Sequence, residues 1–579
     1  MLLRRWSPYL LVLALSSAAF LAAAAVPYRV DTDSGFQLRS LQQWARGESA
    51  SPGTLLLPDP RDLSRDVSLW SNWWPPGLPF LYAPLVAAGL PLAAALRITS
   101  FLLFLLGALG WLGLADRLEL PPWTRLLYAV ALAPYVVTIG GAASLRSADL
   151  LSFAFAPWLA RLVLGLGEKA APRAAGLLLC GLALGMTYWL KYTLFLTALP
   201  LAAWLAFRVA FSRVSGERRS GAVRLAGLAA LGLGFALPVL ALFTFNLRQT
   251  ADLSEGVTGT RSAWAGQDPG RLLAIRPPVL AASLAGSPGL ALFQNDQWIT
   301  HVAYFSDDRI PGLRRLGDID RIFLKCLLAL PGAVALFWAL LRERRRPGPF
   351  ASLALVATAG FYLELLGVSL FVGYNYLAYE ARLAVGLMPL VYPLALAGWM
   401  AGRRAVGAVV VVLLLLPPTI FIGAEFLKKE LLDRLSPRFM PSETGLWMPE
   451  LSPRDTRGVR AAVAAALRSP EDVTVLAGPA GWGSPFGVWL EMPRRTLPMG
   501  TFFAPLGARY LEASNLRSTT PLRSSRSLGV VLVVAQSLVQ EGRLPEIEAR
   551  FPQVHAWTAE PVPPDARVVI YRGALSAAD

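Results

Sequence analysis

The sequence predicts an all-α polytopic membrane domain followed by a small α/β domain outside the membrane. Of the 579 residues, 55% are hydrophobic and only 16% are charged, whereas about a quarter of residues are charged in soluble proteins. Several apolar runs approach the ~20 residues that cross a bilayer as a helix. After these runs, the last part of the chain has the mixed composition of a folded soluble domain.

The apolar runs predict about 11 to 13 transmembrane helices within residues 1–424. Each run is longer than the ~10 residues of a membrane strand, which favours helices over a barrel. Pro and Gly residues divide the apolar stretches between residues 76 and 146, so we expect short or broken helices there. The clearest runs are 9–25, 98–115, 225–243, 322–341 and 406–422.

The first run has the outline of a signal peptide, with Arg4 and Arg5 before an apolar core and alanines at its end. Cleavage after Ala25 is therefore one interpretation. The length of the run favours the other, a retained membrane anchor. Two cysteines, Cys180 and Cys326, lie inside apolar runs and support neither a disulfide framework nor a cysteine metal site.

The net charge of +16 arises largely from arginines in the short connections between runs, at 208–224, 342–346 and 403–404. This is the positive-inside pattern of cytoplasmic loops, which anionic lipid also attracts, so no nucleic-acid partner is expected. The pattern predicts a multi-pass protein of the plasma or inner membrane with a cytoplasmic N-terminus. Residues 26–75 and 247–317 then form external loops.

Residues 425–579 predict an extracytoplasmic α/β domain. Short apolar strands are expected at 473–476, 530–534 and 568–571, and helices at 456–468 and 538–550. The glycine-rich segment 478–483 lacks the Gly-Lys-Ser/Thr of a phosphate-binding loop, which makes a strand-to-helix turn the simpler interpretation.

Two carboxylates, Asp31 and Asp33, follow the first apolar run directly. An ionised carboxylate near hydrocarbon costs free energy unless it is paired, solvated or bound to a metal. The next residues predict an amphipathic helix with Leu38 and Leu41 on its apolar face, suited to lie in the membrane interface. Asp33 could simply cap this helix, which would leave Asp31 unexplained.

The acidic loop, the amphipathic helix and the segment Trp74-Pro75-Pro76 before the next span resemble the GT-C superfamily of membrane glycosyltransferases. That superfamily includes protein O-mannosyltransferases and lipid A aminoarabinose transferases. The resemblance implies a polyprenyl-phosphate-linked sugar donor, with Asp31 and Asp33 as catalytic base or as ligands of a divalent metal ion, Mg, Mn or Zn. This chain has Asp-Thr-Asp where many members have Asp-Glu, and Trp-Pro-Pro where His-Pro-Pro is common.

Three further residues are candidates for the donor phosphate site. Asp149 opens a span on the predicted external side, and Lys191 separates two apolar runs. Arg382, on a short external link, resembles the basic residue with which many GT-C enzymes bind the donor phosphate. The alternatives are a helix N-terminal acid beside Arg146 for Asp149, snorkelling for Lys191, and a surface pair with Glu380 for Arg382.

Two other groups of ionisable residues are weaker candidates. Glu364 lies in the middle of a span, where an acid is expected to be neutral or to face a partner. His301 with Asp307 and Asp308 could bind a metal in the long loop 247–317. The absence of zinc-type spacing makes this second site the less favoured interpretation.

The predicted function is transfer of a sugar from a polyprenyl-phosphate-linked donor to a glycan, lipid or protein acceptor on the external face of the membrane. One alternative is a transporter or flippase in which Asp149, Lys191 and Glu364 line the substrate path. That alternative predicts an inverted repeat, and the sequence has no evident one. The other alternative is an inactive GT-C-like scaffold whose external domain recruits a partner.

Overall fold

The structure is a computed structural model of the 579-residue chain. It describes residues 2–250, 274–292, 318–343 and 348–400, and in the C-terminal part 446–447, 453–478, 492–499, 519–562 and 568–578, besides the single positions 424 and 427. Within these stretches the undescribed positions are 27, 31, 71–74, 119, 134, 143, 146–148, 170–171, 212–220 and 380.

The chain opens with a long apolar helix, α1, and a polar first loop (residues 26–75). The loop contains a short strand, a helix and a β-hairpin. In order, these elements are α1 (Leu2–Ala24), β1 (Tyr28–Val30), α2 (Thr32–Ala45), β2 (Thr54–Asp59) and β3 (Asp62–Trp70).

Helices account for most of residues 77–400. They are α3 (Gly77–Ala87), α4 (Leu92–Ala115), α5 (Pro122–Leu132), α6 (Tyr135–Thr138), α7 (Asp149–Gly167), α8 (Ala174–Leu190), α9 (Tyr192–Phe211), α10 (Gly221–Thr250), α11 (Pro277–Leu292), α12 (Asp318–Glu343), α13 (Pro349–Val372), α14 (Tyr376–Tyr379) and α15 (Met388–Met400). A two-residue strand, β4 (Ser144–Leu145), precedes α7, and a 3₁₀ helix (Ala381–Gly386) precedes α15.

Seven helices among the described residues are long and apolar enough to cross a membrane, and three shorter apolar helices accompany them. The chain is therefore a polytopic helical membrane protein, as its composition predicts. The expected short helices after residue 76 are also confirmed, with Pro91 and Pro121 at the N-terminal caps of α4 and α5. The predicted span at 406–422 lies outside the described residues, so the total of 11 to 13 stays a prediction.

Polar contacts tie together one end of the bundle, where α1 begins. The Tyr9 hydroxyl donates to Asp116 at 2.7 Å, and Arg117 lies 3.2 Å from Glu168 at the end of α7. The first loop leaves α1 at the opposite end. Cys180 and Cys326 are both free and buried.

The C-terminal domain contains a five-stranded mixed sheet. Its strands are β6 (Val473–Ala477), β7 (Thr496–Met499), β8 (Leu528–Ala535), β9 (Val554–Glu560) and β10 (Val568–Leu575), in the spatial order β7-β6-β8-β10-β9. The strands β6 and β8 are buried at every position, which explains their continuous apolar sequences. The three strands predicted from the sequence are present, whereas β7 and β9 were not anticipated. The helices of this domain are α16 (Pro453–Ala466), α17 (Gln536–Gln540) and α18 (Leu544–Glu548).

The hairpin of the first loop packs into the hydrophobic core of this domain. Leu55, Leu57 and Leu63 are buried in one cluster with residues of the sheet such as Val475 and Leu497. Since hairpin and sheet share a core, the first loop and the C-terminal domain lie at the same end of the bundle.

Helix α2 lies between the two hydrophobic cores. Leu38 and Leu41, on its apolar face, belong to the core of the membrane domain. Its opposite face is also buried, although it carries the polar residues Gln37, Arg39, Ser40, Gln42 and Gln43. A helix lying in the membrane interface exposes its polar face to water, whereas protein covers both faces of α2. Protein backbone groups replace water as hydrogen-bond partners of that face.

Candidate active site at the first-loop end of the bundle

The candidate site includes a three-stranded parallel sheet in the order β4-β1-β5, where β5 is Leu446–Trp447. It pairs Val30 with Leu145 and Tyr28 with Leu446. Val30 directly precedes Asp31 in the sequence, and Leu145 lies shortly before Asp149. The pairing therefore brings together two segments that carry predicted site residues but lie far apart in the chain.

The two acids of the first loop are not tested by these contacts. Asp31 lies outside the described residues, and Asp33 belongs to the first turn of α2 with its side chain undescribed. Their roles as catalytic base or metal ligands stay predictions. Asp33 is inside the helix and not at its N-cap position, since α2 begins at Thr32.

Asp149 and Lys191 form a buried ion pair at this end of the bundle. The Lys191 ammonium lies 3.5 Å from the Asp149 carboxylate, and the side chains are 8% and 1% exposed. Snorkelling would leave the ammonium exposed, so that interpretation of Lys191 is excluded. Asp149 is the first residue of α7, where the helix dipole also favours a negative charge.

The position of Lys191 follows from a break between two helices. Lys191 has an extended backbone at the end of α8, and α9 begins at the next residue. Its amide still donates to Thr187 at 2.9 Å, and its carbonyl accepts from Phe195 at 3.0 Å. A hydroxyl contact of 3.1 Å between Ser152 and Thr193 joins α7 to α9 beside the pair. Both charged residues therefore stand on helix ends that are held together.

The segment Pro75-Pro76-Gly77, called the Pro-Pro-Gly segment below, leads into α3 and contacts the backbone just before Lys191. A Cβ atom at Gly77 would lie 2.6 Å from the Trp189 carbonyl oxygen and 2.9 Å from the Leu190 Cα. Only glycine permits this approach. The Gln37 side-chain amide on α2 donates to the Pro75 carbonyl. The contact connects the first loop, through α3, to the helix break at Lys191.

The 3₁₀ helix that carries Arg382 packs against α7 and α9. A Cβ atom at Gly386 would lie 3.2 Å from both the Ser152 Cβ and the Thr197 hydroxyl oxygen. The end of the 3₁₀ helix therefore packs against the helix that Asp149 opens and the helix that follows Lys191. The side chain of Arg382 and the whole of Glu380 lie outside the description, so the phosphate-binding role of Arg382 stays a prediction.

Lys325 is not among the predicted site residues, because it lies within the otherwise apolar run 322–341. Lys325 is almost fully buried, and its ammonium donates to the Ala378 carbonyl at 2.6 Å. Asn375 holds the same turn by donating to Ala274 and Ser283, both at 2.9 Å. A single lysine inside a membrane span is by itself a signal of function. Here it anchors the turn that leads into the Arg382 segment.

The described residues contain no group of three or more His, Cys, Asp or Glu side chains that could hold a metal ion. Asp149 does not fit a divalent metal, because the Lys191 ammonium already occupies its surroundings and would repel the ion. The predicted metal at Asp31 and Asp33 stays a prediction, and the alternative site around His301 lies outside the described residues.

Glu364 is half-buried on α13, and its Oε2 atom is buried with no hydrogen-bond partner among the described residues. The expectation that this acid is neutral or faces a partner stays untested. No contact joins it to the ion pair in the described part of the chain.

No family model and no curated protein matches this sequence. Among solved structures, ArnT from Cupriavidus metallidurans bound to undecaprenyl phosphate is 15% identical with a TM-score of 0.40, over 98% of this chain and 99% of that one. The arabinofuranosyltransferase AftD from Mycobacteria is 15% identical with a TM-score of 0.45, over 100% of this chain and 40% of that one.

Proposed function

We propose that this chain is an integral membrane glycosyltransferase that uses a polyprenyl-phosphate-linked sugar donor. The observation that carries the proposal is the burial of the Lys191 ammonium beside Asp149, on helices against which the segment at Gly77 and the 3₁₀ helix of Arg382 pack. A cation held in a low-dielectric site stabilises a lipid phosphate more strongly than a solvated one does.

Lys191 is assigned to the donor phosphate, and Arg382 supplies a second positive charge. Asp149 would repel a phosphate, so its assigned part in the phosphate site is to hold the Lys191 ammonium in place. These separate roles explain why an acidic residue belongs to a binding site for the anionic phosphate.

Transfer requires a base near the sugar. Asp31 or Asp33 accepts the proton of an acceptor hydroxyl as its oxygen bonds to the anomeric carbon. The bond from that carbon to the phosphate oxygen breaks at the same time, and its electron pair stays on the lipid phosphate beside Lys191. A divalent ion held by Asp31 and Asp33 would add charge stabilisation for the phosphate, and no step above depends on it.

The same proposal assigns the site to the external face. The first loop and the C-terminal domain lie at one end of the bundle, and the arginine-rich connections follow the positive-inside pattern of cytoplasmic loops. The acceptor is then an external glycan, lipid or protein, which the C-terminal domain can approach directly.

The test is transfer of a radiolabelled sugar from synthetic polyprenyl-phosphate donors by the purified protein in nanodiscs. Asp31→Asn and Asp33→Asn are expected to abolish transfer while expression and the unfolding temperature stay unchanged. Asp59→Asn, the same chemical change at the hairpin turn, is the matched control. Full activity of the Asp31→Asn/Asp33→Asn double variant would overturn the assignment of the base. Donor binding without transfer by the wild type would favour the scaffold alternative.

A further inference from the structure

Arg39, on the polar face of α2, is 0% exposed. Its guanidinium donates to the carbonyls of Met492 at 3.0 Å, Pro493 at 2.6 Å and Arg494 at 3.4 Å. These carbonyls belong to the segment that leads into β7 of the C-terminal domain. A buried charge is tolerated only when hydrogen bonds replace its hydration, and the three carbonyls supply such bonds.

Two further residues of this helix face, Ser40 and Gln43, bond to the hairpin and to the residue shortly before it. The Gln43 side chain both donates to and accepts from the backbone of Leu56 on the hairpin, each at 2.9 Å. The Ser40 hydroxyl donates to the Pro52 carbonyl at 2.6 Å. The hairpin therefore holds the second half of α2.

The hairpin is in turn fastened to the C-terminal domain. Asp66 accepts from Arg494 at 2.6 Å and from Arg495 at 2.9 Å. The Leu63 amide donates to the Arg523 carbonyl at 2.8 Å. The hairpin and the C-terminal domain are thus joined, and Arg39 bonds α2 to the C-terminal domain directly.

We propose that Arg39 is a positioning residue through which the C-terminal domain holds the acid-bearing start of α2 at the active site. Arg39 stands six residues after Asp33 on the same helix, about 9 Å along its axis. A helix transmits such a constraint because its backbone hydrogen bonds resist bending. The catalytic part of this inference rests on the proposed function, since it concerns the predicted acid Asp33.

The proposal gives the C-terminal domain a part in catalysis that does not require it to touch the substrate. A positioning role also predicts an effect on the reaction rate that a purely stabilising role does not. Misplacement of a reacting group by about 1 Å can lower the rate by ~10²-fold. Loss of Arg39 is therefore expected to lower kcat, whereas the KM for the donor stays nearly constant because Lys191 is untouched.

The experiment compares Arg39→Met, Arg39→Lys and the control Arg46→Met in nanodiscs. Arg46 directly follows α2 and donates to the same Met492 carbonyl, at a longer 3.4 Å, but is exposed. Arg39→Met is expected to lower kcat by ~10-fold or more with a donor KM within about twofold of wild type. Arg39→Lys should recover part of the loss, and Arg46→Met should resemble wild type.

Hydrogen–deuterium exchange provides a readout that needs no activity. Amides of residues 32–45 should exchange faster in Arg39→Met than in Arg46→Met. Unchanged exchange in Arg39→Met would overturn the inference, whether or not the protein transfers sugar. An active wild type with an unchanged kcat in Arg39→Met would also overturn it and leave the proposed function intact. Absence of transfer by the wild type would count against the proposed function alone.

A cross-link controls for undocking of the whole domain. The Ser64 and Ser525 hydroxyl oxygens are 3.0 Å apart, and the natural cysteines are buried. A disulfide in Ser64→Cys/Ser525→Cys is expected to form with activity retained. In the Arg39→Met background it should restore the unfolding temperature but not kcat. Recovery of kcat by the cross-link would assign Arg39 to docking alone and overturn its positioning role.

Discussion

The Asp149 carboxylate lies 3.5 Å from the Lys191 ammonium, with the two side chains 1% and 8% exposed. One group opens a helix and the other separates two helices, so their meeting depends on packing of three helix ends. Each charge makes the burial of the other tolerable. The pair therefore places a shielded cation, held by an acid, at the end of the bundle where the first loop folds.

Breaking this pair is expected to reduce stability and donor binding to different extents. Asp149→Asn and Lys191→Met should each lower the free energy of unfolding by about 3–5 kcal/mol, because each leaves a buried charge uncompensated. The double variant should recover part of that stability but none of the donor affinity. Chemical unfolding in detergent and the donor KM measure the two effects. Unchanged donor affinity in the stable double variant would exclude Lys191 from the phosphate site.

Gly77→Ala is expected to disturb the site through the backbone alone. The new Cβ would lie 2.6 Å from the Trp189 carbonyl oxygen, so α3 or the end of α8 must move. Overpacking of this kind costs about 1–3 kcal/mol. Gly165→Ala in α7 is the control, because its Cβ would meet nothing within 4 Å. Equal unfolding temperatures for the two variants would contradict the close approach.

Lys325→Met is expected to weaken donor binding without contact to the site. It removes the 2.6 Å bond to the Ala378 carbonyl, which anchors the turn before Arg382. The donor KM should rise as in Arg382→Gln, and the double variant should be no worse than Arg382→Gln alone. Lys169→Met, at an exposed lysine, controls for loss of charge. Additive effects of Lys325→Met and Arg382→Gln would show that the two residues act independently.

Docking of the hairpin should depend on pH through Asp62. Burial raises the pKa of this carboxyl, but hydrogen bonds from Ser64 and Ser525 outweigh it and hold the pKa well below its usual range. A depressed pKa stabilises the fold above the unfolded value of about 3.9, and the contribution is lost as the pH falls below it. Asp62→Asn should therefore lower the unfolding temperature at pH 7, and the difference from wild type should shrink below about pH 4. A constant difference between pH 7 and pH 3 would contradict this.

Local features of the sequence were sufficient to predict several parts of the site. Lys191 separates two apolar runs, and Asp149 begins a third. The boundary between α8 and α9 and the start of α7 could therefore be located from the sequence. The continuous apolar residues of β6 and β8 likewise predicted a buried sheet. The surroundings of α2 could not be predicted, because the amphipathic pattern is the same whether water or protein covers its polar face.

The sequence by itself determined that the chain is a polytopic helical membrane protein with a C-terminal α/β unit, because run length and periodicity are local properties. Only the tertiary structure decided that Lys191 is buried against Asp149, that the hairpin completes the C-terminal core, and that Arg39 joins α2 to it. These contacts join residues far apart in the chain. Their partners are selected by packing and by the need to satisfy buried polar groups, which no single segment reveals.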